Sequence, residues 1–253
     1  MEVYTKNLSA VIISWAKDDT FRRMTQNAID SALNSGVDEV VVLEMSDVQY
    51  DNALTIRNEG EFNYNRSLNK GIQHCKGEYI ALCNNDLLFY EGFGDIVKEM
   101  KEHNIHSACP SSNQGKRRMG YGIKKISQTK EKEMKGWCII LDRFCLSKIG
   151  KLDETYSFHY SDNAYADQLK KNNIEHYLLF GYRVDHLTSV TLSTLPKEKR
   201  MEYMKKQKRK YYANKRRSLH LQEGQAEQPS VKTVAKKPRK RPTSRRNNRR
   251  RPT

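Results

Sequence analysis

An apolar run that ends in two amides and a carboxylate is the segment of this sequence with the clearest chemical potential. Residues 79–83 are apolar and lead directly into Asn84, Asn85 and Asp86. Oxygen atoms at the carboxyl end of a parallel strand suit a divalent cation that bridges two phosphate groups. Asn and Asp are also common in turns, and the segment alone favours an ordinary turn.

The segments on either side of this run follow one another in a characteristic order. Glu-Phe at 61–62, Asn-Lys-Gly at 69–71 and Gly-Glu-Tyr-Ile at 77–80 precede it, and Glu-Gly-Phe at 91–93 follows it. This spacing resembles the nucleotide-sugar half of the family-2 glycosyltransferases of bacteria and phages. The acceptor half and the closing metal-ligand segment of that family are similar, in the same order, to residues 136–143, 149–156, 160–165 and 184–189. The resemblance spans about residues 8–190 and implies a GT-A fold, a single Rossmann-like α/β domain.

The resemblance implies a metal ion, Mn²⁺ or Mg²⁺, on the diphosphate of the donor. Asn84-Asn85-Asp86 matches the Asp-x-Asp site of the family, whose last carboxylate holds the metal, so Asp86 is the predicted metal ligand. His186 matches the second metal ligand of the family, although a lone His is more often a packed or hydrogen-bonded residue. Asn84 replaces the first Asp; an amide can bond the ribose or a metal-bound water, but it brings less charge.

The resemblance also implies a nucleotide-sugar donor, with a UDP-sugar favoured. Glu44 corresponds to the acidic residue that contacts uracil or ribose in the family, and a solvated carboxylate at a strand end is the alternative interpretation. The donor-binding candidates are Trp15, Glu44, Lys70, Asn84 and Asn85.

Asp162 matches the catalytic base of the family, in a pattern usually written Glu-Asp. Sugar transfer with inversion needs one carboxylate that takes the hydroxyl proton of the acceptor while the oxygen attacks the anomeric carbon. Ser161 stands where the family has Glu, so a charge that would tune the base is missing. An Asp before an amphipathic run is also a common helix N-cap, and we expect Asp162 to do both. Trp137 and Ser161 are the acceptor-binding candidates, and a place in the core is the alternative for Trp137.

The elements that must position these residues alternate in type. Short apolar runs predict strands, and apolar residues at helical spacing predict helices between them. The predicted strands are residues 8–15, 37–43, 79–83 and 136–141, and the predicted helices are residues 21–33, 65–75, 92–102 and 162–171. This order predicts an α/β fold with a mostly parallel central sheet, helices on both faces and ligands at the carboxyl ends of the strands. The polar, lysine-rich residues 114–135 predict a long mobile loop near that edge.

The positive charge of the chain is confined to its last part. The 253 residues carry a formal charge of +16, yet residues 197–253 hold 22 Lys and Arg against 4 Asp and Glu, and residues 1–196 have a net charge of −2. We therefore predict a GT-A transferase domain at 1–196, a basic helical extension at 197–221 and a disordered tail at 222–253. One possible stripe of the basic helix consists of Met201, Met204, Tyr211 and Tyr212.

A cationic extension on a near-neutral domain is typical of delivery to a polyanion. The tail is rich in arginine and poor in apolar residues, which favours binding to nucleic acid by phosphate neutralisation, and Tyr211 and Tyr212 could stack bases. The alternative is an anchor on an anionic membrane through Met201, Met204 and Tyr211. The nucleic-acid-binding candidates are Lys205, Arg209, Arg216, Arg217, Arg239, Arg245 and Arg249.

Together these features predict an enzyme that places a hexose or pentose on nucleic acid, such as a hydroxymethylated pyrimidine of phage DNA. The alternatives are transfer to a surface polysaccharide, a teichoic-type polymer or a protein, and an inactive transferase fold that binds nucleic acid. The sequence has no apolar run of about 18 residues and no signal peptide, so we expect a cytoplasmic protein of a bacterial or phage-infected cell. Five cysteines without a Cys-x-x-Cys pair predict buried free thiols in place of disulfides or zinc.

Overall fold

A nine-stranded sheet organises the part of the chain that can be described. The computed structural model describes residues 6–112, 122–126, 134–187 and 197–226. The strands within these residues are β1 (Lys6–Ser14), β2 (Glu39–Glu44), β3 (Leu54–Arg57), β4 (Gly77–Asn84), β5 (Leu87–Phe89), β6 (Ser107–Ser112), β7 (Gly122–Ile126), β8 (Cys138–Asp142) and β9 (His176–His186).

The strands pair in the order β3-β2-β1-β4-β8-β6-β9-β5, and β7 pairs with β9. Strands β1 to β4, β6 and β9 run in one direction, whereas β5, β7 and β8 run in the opposite direction. The apolar strands β1 and β4 lie side by side in the middle because both of their faces must be covered. The prediction of an α/β fold with a mostly parallel central sheet is confirmed.

Helices cover both faces of the sheet. In β1, Ala10 and Ile12 belong to the same buried cluster as Ile29 of the first helix, whereas Val11 and Ile13 face the second, fourth and fifth helices. Because successive side chains of a strand point to opposite faces, this alternation shows that the sheet is buried on both sides. The helices of the described residues are α1 (Asp19–Asn34), α2 (Tyr64–Ile72), α3 (Ile96–Glu102), α4 (Arg143–Ile149), α5 (Ser161–Lys171) and α6 (Lys197–Ala226).

The ends of α1 show how the chain turns between strands. Asp18 Oδ1 accepts hydrogen bonds from the amides of Thr20 and Phe21, at 2.8 and 3.1 Å, and so caps the helix. At the other end Gly36 has a φ of +100°, a conformation that glycine adopts without strain. The carboxyl end of β1 therefore leads into a helix, and the chain returns to begin β2 at the opposite edge.

Two sequence-based expectations are corrected by the fold. The pattern of residues 114–135 predicts a loop, but residues Gly122–Ile126 form β7 on the edge of β9; residues 113–121 and 127–133 lie outside the described residues. The expected stripe of α6 is also wrong. Met201 and Met204 are each 45% exposed and Tyr212 is 40% exposed, whereas Tyr211 is buried. Tyr211 therefore does not share an exposed face with the other three residues.

The chain divides into two units. Met1–Tyr212 forms one compact unit, and Ala213–Thr253 forms the other, of which residues 213–226 are described as the end of α6. The domain boundaries at 196 and 221 stay predictions. All five cysteines are free and buried, as predicted. Within the described ranges, no helix is apolar enough over a sufficient length to cross a membrane.

Candidate active site

The candidate site forms where β4 and β9 end. Strand β5 pairs with the last residues of β9, and Leu87 lies opposite His186 in this antiparallel pairing. The amide of Leu187 donates a hydrogen bond to the carbonyl oxygen of Asp86, at 2.9 Å. This register brings two side chains that are far apart in sequence together, because Asp86 Oδ1 and His186 Nε2 are 3.1 Å apart.

The Asp86–His186 pair has the geometry of two adjacent ligands of one cation. Asp86 is 4% exposed, and its Oδ1 accepts no hydrogen bond from any described residue. Adjacent ligands of an octahedral Mg²⁺ with bonds of about 2.1 Å lie about 3.0 Å apart, close to the observed separation. A carboxylate suits Mn²⁺ and Mg²⁺, and neutral imidazole is a common metal ligand. The two residues fit a divalent ion, and no cluster of three His, Cys, Asp or Glu occurs in the described part of the chain.

Trp137 holds the imidazole of His186 in place. The two rings stack with their centroids 5.5 Å apart and an angle of 19° between their planes. The carbonyl oxygen of Trp137 accepts a hydrogen bond from the amide of Asn84, at 3.0 Å, which ties Trp137 to the end of β4. Its role in lining an acceptor or sugar pocket stays a prediction.

The two amides before Asp86 have different partners. Asn84 Oδ1 accepts a hydrogen bond from the hydroxyl of Tyr64, at 2.9 Å. Asn85 is buried, and its Nδ2 donates to Thr25 Oγ1 of α1, at 3.0 Å. Asn85 therefore anchors the end of β4 to α1. Donor binding by Asn84 and Asn85 stays a prediction.

Glu44 is enclosed by hydrogen bonds from its own neighbourhood. Its Oε1 accepts from the amide of Ala16 and from the amide and hydroxyl of Ser46, at 3.0, 2.7 and 2.6 Å, and Oε2 accepts from the hydroxyl of Tyr50, at 2.8 Å. Burial raises the pKa of Glu44, but hydrogen bonds outweigh burial and hold that pKa below its ordinary value. The alternative of a solvated carboxylate is wrong, because Glu44 is fully buried. Contact with a donor stays a prediction.

Trp15 and Lys70 lie at the same edge of the sheet as the end of β4. Trp15 directly follows β1 and is 45% exposed, and Lys17 Nζ is 4.6 Å from the centroid of one of its rings. Lys70 of α2 donates a hydrogen bond from Nζ to the carbonyl oxygen of Arg57, the last residue of β3, at 2.6 Å. Both positions are compatible with donor binding, which stays a prediction for each of them.

Asp162 lies in the first turn of α5 but does not cap it. The helix begins at Ser161, and Tyr160 is the N-cap residue, so the predicted N-cap role of Asp162 is wrong. Asp162 Oδ1 accepts a hydrogen bond from the amide of Asn163, at 2.9 Å. Burial raises the pKa of Asp162, and nearby backbone amides and His159 offset part of the rise. A raised pKa suits a general base.

Ser161, the second acceptor-binding candidate, forms a hydrogen bond within the turn at the start of α5. Its hydroxyl donates a hydrogen bond to the carbonyl oxygen of Phe158, at 2.5 Å, and the residue is 5% exposed. Ser161 therefore stabilises the turn that leads into α5. Contact with an acceptor stays a prediction.

Gly136 and Trp137, two consecutive residues, contact Asp162 and His186 respectively. A Cβ atom added to Gly136 would lie 2.9 Å from Asp162 Cβ, so the backbone at Gly136 passes directly beside the carboxylate side chain. The next residue, Trp137, stacks on His186. The predicted base and one of the predicted metal ligands are therefore neighbours of two consecutive residues, Gly136 and Trp137.

Tyr64 is a site residue that the sequence pattern does not reveal. Besides its hydrogen bond to Asn84, its amide donates to the carbonyl oxygen of Ser157, at 2.7 Å, and its ring meets Phe158 edge-on at 5.6 Å. Burial raises the pKa of Tyr64 well above its usual value, with further contributions from nearby thiols and from the charges of Asp86 and Asp162. Its position is that of the first residue of α2 after the Asn63 cap, which directs it toward the carboxyl edge of the sheet.

The basic candidates are divided between described and undescribed residues. Lys205, Arg209, Arg216 and Arg217 lie in α6, and all four side chains are exposed. Arg239, Arg245 and Arg249 lie outside the described residues. The prediction that Tyr211 stacks on bases is wrong, because Tyr211 is only 2% exposed. Tyr212 keeps an exposed face.

Comparison with known proteins gives a family match for one part of the chain. The sequence model described as glycosyl transferase family 2 matches residues 32–153, which include Glu44, the 84–86 run and Trp137 and end before Asp162 and His186. No curated protein matches the chain. The matched residues build β2 to β8, the part of the sheet whose carboxyl edge carries Asp86. Residues 32–153 therefore carry the sequence pattern of glycosyl transferase family 2, which supports a glycosyltransferase domain of GT-A type.

Proposed function

We propose that this chain is a metal-dependent, inverting glycosyltransferase that moves a sugar from a nucleotide-sugar donor, with a UDP-sugar favoured, to a hydroxyl group on nucleic acid. The observation that carries this proposal is the arrangement around residues 136–137. The two atoms of the Asp86–His186 pair are 3.1 Å apart and His186 stacks on Trp137, while the buried Asp162 lies beside Gly136. A site for a departing diphosphate and a site for an incoming hydroxyl are thus adjacent.

Asp86 and His186 are the residues that would hold Mn²⁺ or Mg²⁺. The ion, when bound, would neutralise the negative charge that develops on the departing nucleoside diphosphate. The chain brings these two side chains together, so the donor diphosphate and water would have to supply the remaining ligands of such an ion. Trp137 restricts the imidazole to the orientation that faces Asp86.

Asp162 is the residue that would accept the proton of the acceptor hydroxyl. Its carboxylate takes that proton as the hydroxyl oxygen forms a bond to the anomeric carbon and the bond from that carbon to the diphosphate breaks. A single displacement of this kind inverts the anomeric centre. The raised pKa of Asp162 makes it a stronger base than an exposed aspartate, and the cause is burial.

The acceptor is proposed from charge. Residues 197–253 carry a net charge of +18, and the described part of this region exposes Lys205, Arg209, Arg216 and Arg217 on α6. Cations in this density bind polyphosphates by releasing condensed counterions. A hydroxymethylated pyrimidine in the DNA of a phage is the kind of acceptor that offers both a hydroxyl group and a polyphosphate, and the cytoplasm of an infected bacterium is where it occurs.

A cell-surface acceptor is the second candidate. Met201, Met204 and Tyr212 are exposed among the cations of α6, and exposed apolar groups beside lysines also suit an anionic membrane. Transfer to a surface polysaccharide, a teichoic-type polymer or a protein would then follow. Tyr211, which the membrane alternative requires, is buried, and this favours the nucleic acid.

Two variants test the chemistry. Asp86→Ala should weaken UDP binding in the presence of Mn²⁺ and leave it unchanged in chelator, and chelation should abolish hydrolysis of the nucleotide sugar. Asp162→Asn should lower transfer by roughly 10²–10⁴-fold with UDP affinity nearly unchanged, because a base acts on the acceptor. Asp51→Asn, at an exposed carboxylate, is the control. Full activity of Asp86→Ala in chelator would remove Asp86 from the site.

The acceptor assignment is tested with the full chain. Purified protein, Mn²⁺ and a panel of nucleotide sugars are incubated with plain or 5-hydroxymethylcytosine-containing duplex DNA, and the DNA mass is measured. The logarithm of DNA affinity should fall linearly with that of salt concentration, and charge removal at Lys205, Arg209, Arg216 and Arg217 should reduce the slope by about 0.9 for each phosphate that is no longer neutralised. Tighter binding to anionic vesicles than to DNA at matched charge would favour the surface acceptor.

A further inference from the structure

One face of α6 packs on the segment that leads into α5. The buried or half-buried residues of this face are Tyr203, Gln207 and Tyr211, each four residues after the last. The spacing places them on one side of a helix. Gln207 is 7% exposed and Tyr211 is 2% exposed, so the contact excludes water although none of the three residues is aliphatic.

The first contacts of this face are with residues 155–157. The hydroxyl of Tyr203 and the Nε2 group of Gln207 both hydrogen-bond to Ser157 Oγ, the latter at 3.1 Å. From the adjacent turn, Lys210 Nζ donates to the carbonyl oxygen of Thr155, at 2.6 Å. Three residues of α6 therefore fix the polypeptide just before α5.

Tyr211 makes the contacts nearest to Asp162. Its ring stacks on the ring of Tyr160 with centroids 5.1 Å apart and an angle of 24°, and it meets Tyr156 edge-on at 5.7 Å. Its hydroxyl donates a hydrogen bond to Asp167 Oδ2 in the middle of α5, at 2.6 Å. Tyr211 thus contacts both Tyr160, the N-cap residue of α5, and Asp167 within that helix.

Tyr160 is held in an unfavourable backbone conformation. Its φ is +71°, in the left-handed region, where a bulky residue other than glycine is uncommon. Such a conformation persists only when surrounding contacts impose it, and strained residues of this kind cluster at functional sites. The stack with Tyr211 is such a contact, and Asp162 follows Tyr160 by two residues.

We infer that Tyr211 is a positioning residue for Asp162: by holding Tyr160, α6 sets the first turn of α5 and aims the carboxylate at the acceptor side of the site. The inference rests on the proposed role of Asp162 as base. It makes the beginning of the basic helix a part of the catalytic domain, and not only a carrier of charge. The same helix would then bring the acceptor and place the base.

The groups around Asp162 allow a direct measurement of its environment. His159, from the segment before α5, is the titratable side chain that acts on Asp162, and burial lowers the pKa of His159. Tyr64 faces it from α2, and its raised pKa keeps it neutral. A change in the pKa of Asp162 therefore reports chiefly on its burial. Loosening the first turn of α5 should expose the carboxylate and lower its pKa toward the ordinary value.

The experiment compares three full-length variants by carbon-detected NMR titration of the Asp162 carboxyl, which Asp162→Asn assigns. Tyr211→Leu, which removes the stack and the hydrogen bond, should lower the Asp162 pKa. Tyr211→Phe keeps the stack and should retain most of the wild-type value. Met204→Ala, at an exposed position of the same helix, is the control and should change nothing. Calorimetry with UDP and Mn²⁺ should give the same affinity for all three, because the donor side is untouched.

Transfer provides the second readout. Tyr211→Leu should lower transfer by about 10²-fold, the usual effect of a small displacement of a catalytic group, and Tyr211→Phe should restore most of it. An unchanged Asp162 pKa in a folded Tyr211→Leu protein would overturn the inference and leave the base assignment intact. Full transfer by Asp162→Asn would instead overturn the base itself. If Tyr211→Leu does not fold, Tyr211→Met replaces it, because methionine keeps an apolar side chain but loses the ring stack and the hydrogen bond, and an unchanged pKa there counts equally against the inference.

Discussion

The replacement of Asp by Asn at residue 84 changes what the end of β4 offers to a donor. Because Tyr64 donates its hydroxyl proton to Asn84 Oδ1, the oxygen of the amide is occupied and the amide nitrogen keeps its two N–H donors. A carboxylate at this position would present oxygen only. The amide can therefore donate hydrogen bonds to a ribose hydroxyl or a phosphate oxygen, and Asp86 remains the carboxylate available to a metal.

Removal of the Tyr64 hydroxyl tests this arrangement. Tyr64→Phe leaves the ring packed against Phe158 but frees Asn84 to rotate, so UDP affinity in the presence of Mn²⁺ should fall about 2- to 10-fold, the value of one hydrogen bond. Calorimetry measures the affinity. Tyr79→Phe, at another buried tyrosine of the sheet, is the matched control and should bind UDP normally. Wild-type affinity in Tyr64→Phe would show that Asn84 is not oriented by Tyr64.

Single residues are predictable from sequence where a strand end and a polar type coincide. Asp86 carries such a signal, whereas His186 is expected only from the family resemblance, and the structure brings the two side chains together. Tyr64 has no such signal, because an aromatic residue at the start of an amphipathic helix is typical of a core. Its role depends on Asn84 and Ser157, which the fold brings near from distant parts of the sequence.

At the scale of elements, the hydrophobic pattern predicts most of the helices but only four of the nine described strands, namely β1, β2, β4 and β8. The early strands are predictable because both of their faces are apolar, and the order of their helices follows from right-handed crossovers. Strand β7 has only Ile123 and Ile126 among lysines, so its strand character depends on pairing with β9. The packed face of α6 differs from the predicted stripe because it is built from Tyr203, Gln207 and Tyr211, and a buried glutamine has no apolar signal.

Helix α2 lies close to the sheet because residue 71 is a glycine. Replacement of Gly71 should therefore change the stability of the fold. A Cβ at Gly71 would lie 2.4 Å from Val11 Cγ1 and 2.6 Å from Leu43 Cδ2, both in the buried cluster under α2. Gly71→Ala should therefore lower the free energy of unfolding by about 1–3 kcal/mol, measured by urea denaturation. It should also weaken UDP binding, because the displaced helix carries Tyr64.

Gly122→Ala is the control for that measurement. The added Cβ would meet Phe180 at an ordinary 3.8 Å, so the change should cost little stability. Equal losses in the two variants would contradict a specific effect of the close approach of α2, because Gly122 has no such contact.

At the scale of the whole molecule, a near-neutral domain holds a fully buried histidine, and protonation of this histidine opposes folding. His176 is fully buried at the start of β9, and its Nδ1 is 2.7 Å from Ser107 Oγ, which also contacts the hydroxyl of Tyr165. Burial lowers the pKa of His176 to about 3. The sequence could not reveal this, because a histidine before an apolar run has no pattern that distinguishes a buried ring from an exposed one.

The pH dependence of stability follows from that pKa. In the unfolded chain His176 has a pKa of about 6.5, so below this pH the unfolded state binds a proton that the folded state excludes, and stability falls as the pH falls toward 3. Between pH 7 and pH 5 this single group should cost about 2 kcal/mol of unfolding free energy. Urea denaturation of the full chain at both pH values should show that His176→Gln, although less stable at pH 7, loses about 2 kcal/mol less on acidification than the wild type. His74→Gln, at an exposed histidine, should keep the wild-type dependence; identical acid sensitivity of all three proteins would contradict the assignment of a neutral, buried His176.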